Sequence, residues 1–190
     1  PRDGLLEASR AILTALLLGA VLSALAYPLL LAFERLLSPS PGVEPAFAQY
    51  FLMRIRSAPF SLINFALLGW FYGRGTARIG MALQILIHGV NIALNIWFVT
   101  SLGWGVQGAA LGTVLGEASA TIVGLGIVVR HFGGFRQLFQ KIAPAELFDA
   151  AALRRMFSLS RDITIRTVAL MLSYAYFAGQ GSRAGDVTMD

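Results

Sequence analysis

The chain contains no cysteine. That absence removes disulfide frameworks, thiolate metal sites and cysteine nucleophiles together, and leaves the redox compartment open. Charge is the next scarcity. Fifteen Lys and Arg with ten Asp and Glu are spread over 190 residues, too few to cover the surface of a water-soluble domain of this size. There are two histidines, His88 and His131, and nothing at metal-ligand spacing. No glycine-rich phosphate loop leads into Lys and Ser or Thr, and no GxSxG is present. Gly69, Gly73 and Gly75 surround aromatics and Arg74 in a pattern that reads as a helix end rather than a nucleotide site. These gaps argue against an enzyme and against any bound cofactor. The first residue, Pro1, opens no signal-peptide pattern, so the chain is expected to begin inside a longer one.

What remains is apolar. Hydrophobic residues make up 56% of the chain and the mean hydropathy is +0.68, so the bilayer is the expected solvent. A net charge of +5 and a pI near 10.2 would raise nucleic-acid binding in a soluble domain. Here the basic residues lie mainly between hydrophobic segments, where membrane topology explains them, and no nucleic-acid partner is expected.

Five segments read as spans of an all-α, polytopic membrane protein. Ala11 to Phe33 runs 23 residues without a charge, about 34 Å of helix against a hydrocarbon core of ~30 Å. Pro28 falls near its end, where a kink is tolerable. The loop Ser38 to Pro45, with three prolines and a glycine, stops any continuous helix. The second segment, Phe47 to Tyr72, carries Arg54, Arg56 and Pro59, and its outer end is expected to be interfacial. Ile79 to Leu102 and Val106 to Val129 are joined by Gly103–Trp104–Gly105, a turn that forces an antiparallel hairpin. The fifth runs from about Ile163 to Gly181, with Arg166 near its start. Between the fourth and fifth, Pro144 to Phe157 reads as an amphipathic helix with proline in its first turn, acids early and arginines late, suited to a membrane surface.

Alternating loops distribute the basic residues unevenly. Arg2, Arg10, Arg74, Arg78, Arg130, Arg136, Lys141, Arg154, Arg155 and Arg161 collect on one side, Arg35 and Arg183 on the other. The positive-inside rule puts the first side, with the N-terminus, in the cytoplasm of a protein of the inner (plasma) membrane.

Small residues at a spacing of four, Gly108, Gly112, Gly116, Ala120 and Gly124, give the fourth span a nearly bare face that suits close helix packing or, alternatively, a substrate groove. Polar residues within spans are expensive and mark candidate sites. Gln84, His88, Asn91 and Asn95 share one face of the third span at spacings of three and four, an intramembrane ladder that serves either interhelical hydrogen bonding or transport. His88 is either a hydrogen-bonded packing residue or a group that exchanges protons. Glu117 on the fourth span is either a proton carrier or a carboxylate held by an arginine or polar neighbour.

Three stretches in order carry a family resemblance: FLMRIRSAPFSLINFALLGWFYGRGTAR, HGVNIALNIWFVTSLGWGVQGAALGTVLGE and LSRDITIRTVALMLSYAYFAGQGSRAGDV. Together they resemble the multidrug and toxic compound extrusion (MATE) family, and within it a DinF-like branch. The resemblance implies a transporter of twelve spans in two six-helix lobes, exporting small organic, often cationic, compounds in exchange for protons or sodium ions. The five spans would be its third to seventh: residues 1–142 in the N-lobe, 143–162 in a cytoplasmic inter-lobe linker, 163–190 opening the C-lobe. The remaining helices of the full-length transporter would then be partners. Asn91 and Thr113 match an asparagine and a threonine of the family's N-lobe polar network. Asn95 stands where that network usually has an acid, so NIALN replaces an NxxLD pattern and a titratable group is lost. A lipid-linked oligosaccharide flippase of the same superfamily, or a membrane scaffold that does not transport, are the other readings.

Overall fold

A computed structural model of the chain describes residues 2–37, 41–134, 149–151, 154, 158, 161 and 164–174. The chain divides into two units, Pro1–Leu147 and Phe148–Asp190.

The first unit is built from α1 (Arg2–Ala24), α2 (Ala26–Leu37), α3 (Glu44–Arg56), α4 (Ala58–Gly73), α5 (Ala77–Asn95), a π-helical turn (Ile96–Ser101) and α6 (Gly105–His131). Among the described residues, three stretches, Gly4–Ala24, Ala77–Ser101 and Gly105–His131, are long and apolar enough to cross a membrane. A fourth follows if α3 and α4 count as one span bent by 49°. The protein is an all-α polytopic membrane protein. Four of the five expected spans fall in this unit.

Their boundaries differ from the sequence reading in ways that proline explains. The first helix begins at Arg2, nine residues before Ala11, because its early turns are packed rather than solvated: Leu5 and Ala8 are 1% and 2% exposed. It breaks at Leu25, where Pro28 has no N–H for the carbonyl of Ala24, four residues back. The second span breaks in the same way at Ser57. Pro59 cannot donate to the carbonyl of Ile55, and Ser57 ends α3 instead by donating its backbone N–H to Met53 O at 3.2 Å.

Helix α1 is shaped to receive that second break. Gly19 lies against it so closely that a Cβ there would sit 2.5 Å from Pro59 Cα. One turn on, the hydroxyl of Ser23 donates to Gly19 O at 2.8 Å and also lies 3.1 Å from Arg56 O and 3.3 Å from Ile55 O, close against the carbonyls at the bend.

Helices α5 and α6 pack through the small-residue ridge. Gly108, Gly112, Gly116, Ala120 and Gly124 are all buried. A Cβ on Gly116 would lie 2.7 Å from the backbone carbonyl of Ile87, which measures how near the two backbones come. Beyond the ridge, the chain turns through Gly103 and Gly105 at φ 68° and 51°, values that glycine adopts without strain. Phe98 of the π turn stacks on Trp104 at 5.2 Å and closes this end.

At the other end, Leu5, Leu67, Leu68, Phe71, Leu83, Val128 and Phe132 form an apolar core. Trp70 Nε1 donates to Gly4 O at 3.0 Å, and Arg74 lies over the Trp70 ring and 3.0 Å from His131 Nε2. The start of α1 and the ends of α4 and α6 therefore meet, as alternating spans require.

In the second unit, residues 164–174 are helical, as are 150, 151, 154, 158 and 161. The rest of the expected fifth span, most of the expected amphipathic helix, Arg136, Lys141, Arg155 and Arg183 lie outside the described residues.

Candidate functional site

Two polar clusters lie near the middle of the spans, and α6 contributes to both. The first joins α5 to α6. Asn91 Nδ2 donates to Thr113 Oγ1 at 2.8 Å, Asn95 Nδ2 donates to Asn91 Oδ1 at 3.3 Å, and Thr113 Oγ1 lies 3.0 Å from Ala109 O. All the side chains in this chain of bonds are uncharged. Asn95 Oδ1 is buried with no partner among the described residues. The ridge glycines make the cluster possible, since a Cβ on Gly112 would collide with that same Asn95 oxygen and one on Gly116 would lie 3.3 Å from Asn91 Cβ.

The ladder read from sequence divides here. Asn91 and Asn95 face α6 and join Thr113. Gln84 and His88 make no hydrogen bond with them, and His88 is exposed on the bundle's surface. Four residues at helical spacing share a stripe, but a neighbouring helix crossing at an angle covers only part of its length.

The second cluster joins α6 to both halves of the broken span. Arg54 near the end of α3 grips Glu117 with two hydrogen bonds, Nη1 to Oε2 at 3.0 Å and Nη2 to Oε1 at 2.9 Å. Ser61 of α4 donates to Glu117 Oε2 at 2.6 Å, and Asn64 Nδ2 donates to the Glu117 backbone carbonyl at 2.8 Å. Thr121 Oγ1, one turn further, lies 2.9 Å from Glu117 O and 3.3 Å from Phe60 O. The Arg54 and Glu117 side chains are 28% and 13% exposed. Asn64 Oδ1 is buried without a partner among the described residues.

This geometry corrects one expectation. Arg54 is not at the outer interface: its partner Glu117 lies within a residue of the midpoint of α6, and the break at Ser57 falls at the middle of residues 44–73. A guanidinium is tolerated at that depth because a carboxylate and a bidentate geometry await it. Of the two roles open to Glu117, the arrangement is that of a carboxylate held by an arginine. Arg54 and Glu117 lie 63 residues apart in sequence, so no local spacing signals the pair. The only signal was that each is an ionised group inside an apolar run.

The MatE family model matches residues 6–97. That stretch is similar to the MatE family. DNA damage-inducible protein F of Escherichia coli (strain K12) is 33% identical over 177 residues, an alignment that covers 92% of this chain and 37% of that protein. The chain thus spans little more than a third of the length of the curated relative it matches. No solved structure matches. The MatE match takes in α1 to α5 with Asn91 and Asn95, and the similarity to DNA damage-inducible protein F extends across nearly the whole chain.

Proposed function

We propose that the chain forms part of a cation-coupled multidrug exporter that works by alternating access, with a proton or sodium ion as the coupling ion. The observation that carries this reading is the MatE match over residues 6–97. The mid-span polar clusters support it, because polar side chains inside a bilayer are concentrated where substrates and ions pass. Asn91, Asn95 and Thr113 line the N-lobe side of that path, and Gly108, Gly112, Gly116 and Gly124 hold α6 close to α5.

Coupling through α5 would use no acid of its own, since residue 95 is asparagine. Nor does Glu117 offer a free carboxylate, because Arg54 and Ser61 occupy both of its oxygens. An acid on another helix of the full-length transporter would have to carry the ion. The protein's place is the inner (plasma) membrane, with the end that gathers Arg10, Arg74, Arg78 and Arg130 in the cytoplasm.

The test is ethidium efflux from cells that produce the protein from its complete reading frame. Efflux faster than in vector controls, abolished by a protonophore or by sodium withdrawal, is expected. Efflux that is no faster than the controls under either gradient would sink the reading. The 190-residue chain by itself is expected not to transport.

A further inference from the structure

Arg56 is the cation of the broken span that the Glu117 pair leaves over. It lies two residues from Arg54, at the end of α3, so it shares the depth of an ion pair fixed at the middle of α6. Yet it is exposed, and what faces it among the described residues is the ring of Tyr27 on α2, with Cζ 5.8 Å from the centroid. No carboxylate pairs with it among those residues. An exposed guanidinium at mid-span is expensive to keep unless something anionic comes to it.

A groove of about 510 Å³ opens at this place, between α3 and α6. Gln49, Met53 and Arg56 line it from α3 at intervals of four and three, one continuous helix face, with Ser57 at the break and Phe60 beyond. Gln107 of α6 closes the far end, its Nε2 donating to Gln49 Oε1 at 3.1 Å. From Gln49 to Arg56 is two turns, about 10 Å along the helix. The groove therefore offers a pair of amides at one end, the apolar side chains of Leu52 and Met53 next, then a cation, with the Phe60 ring past it.

We infer that this groove binds a singly charged organic anion, with its carboxylate or sulfonate on Arg56, its apolar body along Leu52 and Met53, and a neutral hydrogen-bonding group at Gln49 and Gln107. A single guanidinium suits a monoanion; Arg54 is already neutralised by Glu117, so a diphosphate would find too little charge. A phospholipid phosphate is disfavoured by depth, since it would have to leave the headgroup region for the middle of a hydrocarbon core ~30 Å thick. The inference rests on the transport reading for what happens to the bound anion, but not for the binding itself.

Binding of dansylglycine, a fluorescent carboxylate, to the purified full-length gene product tests it, with the uncharged dansylamide as control. Wild type should prefer dansylglycine. Arg56→Gln should weaken that binding roughly tenfold or more, the effect of losing a charge-assisted hydrogen bond, and Arg56→Lys should recover most of it. Arg78→Gln, at the basic end of α5 and outside the groove, should bind as wild type does. Should Arg56→Gln fail to fold, Gln107→Leu should still weaken dansylglycine by about threefold. Equal binding of the two probes by wild type, wild-type affinity in Arg56→Gln, or an equal loss in Arg78→Gln would each overturn the site. Ethidium efflux by the same wild-type protein separates the two readings: binding without efflux leaves the site standing and removes the transport role, and efflux without binding does the opposite.

Discussion

The two mid-span clusters differ in charge, in reach and in how they are held. Asn91, Asn95 and Thr113 form an uncharged chain between neighbouring helices of one hairpin, with partners four and 22 residues apart. Arg54, Ser61, Asn64 and Glu117 form a charged knot across three helices, with partners 53 to 63 residues apart. The neutral cluster can lose either end, Asn95 or Thr113, and keep the other side-chain bond. The charged one cannot, because each ion is tolerated at that depth only by virtue of the other. The contrast predicts that the second cluster holds the bundle together and that the first is free to serve a transport cycle.

The largest effect should come from breaking the knot. Glu117→Gln leaves Arg54 at mid-span without its carboxylate, and removing one partner of a buried pair typically costs about 3 kcal/mol or more. The midpoint of unfolding in detergent with increasing dodecyl sulfate should fall accordingly. Replacing both partners with apolar residues, Arg54→Met with Glu117→Leu, should recover most of the loss, since neither ion is then stranded. A Glu117→Gln protein that unfolds at the wild-type midpoint would erase the distinction between the clusters.

How much of this could be read beforehand follows from the same contrast. Asn91 and Asn95 share a face because helical spacing dictates it, and the glycine ridge announces close packing by its own period of four. Such regularities belong to a single helix and are visible in its sequence. The pairing of Arg54 with Glu117 depends on which helices become neighbours and at what depth, which no single helix encodes. The hydropathy pattern assigned Arg54 to an interface because a charge inside a span is usually excluded; it could not foresee that a bend at Pro59, received by Gly19 and Ser23 of α1, turns the end of α3 toward α6. The apolar run starts the first span at Ala11, seven residues after Gly4, for a related reason: Glu7 and Arg10 interrupt the run, but Leu5 and Ala8 between and before them are buried.

A wedge between α5 and α6 should act on the neutral cluster with an intermediate effect. Gly116→Leu drives a side chain against Ile87 O and Asn91 Cβ, contacts already at 2.7 and 3.3 Å for a bare Cβ. Overpacking of this kind typically costs about 2 kcal/mol. It should also separate Asn91 from Thr113, so efflux should fall together with stability. A Gly116→Leu protein as stable as wild type would mean that the helices can part without penalty, and that the ridge does not set their spacing.

The smallest effect on stability should come from removing one hydroxyl. Thr113→Val keeps the shape of the side chain but takes away the acceptor for Asn91 Nδ2, whereas Asn91 Oδ1 still accepts from Asn95. Interhelical hydrogen bonds inside membranes contribute about 0.6 kcal/mol on average, so the unfolding midpoint should barely move. If the neutral chain serves transport, gradient-driven ethidium efflux should nonetheless drop well below the wild-type rate at equal protein yield. Stability and efflux would then separate at Thr113 and fall together at Glu117. A Thr113→Val protein destabilised as severely as Glu117→Gln would show instead that both clusters are parts of the scaffold.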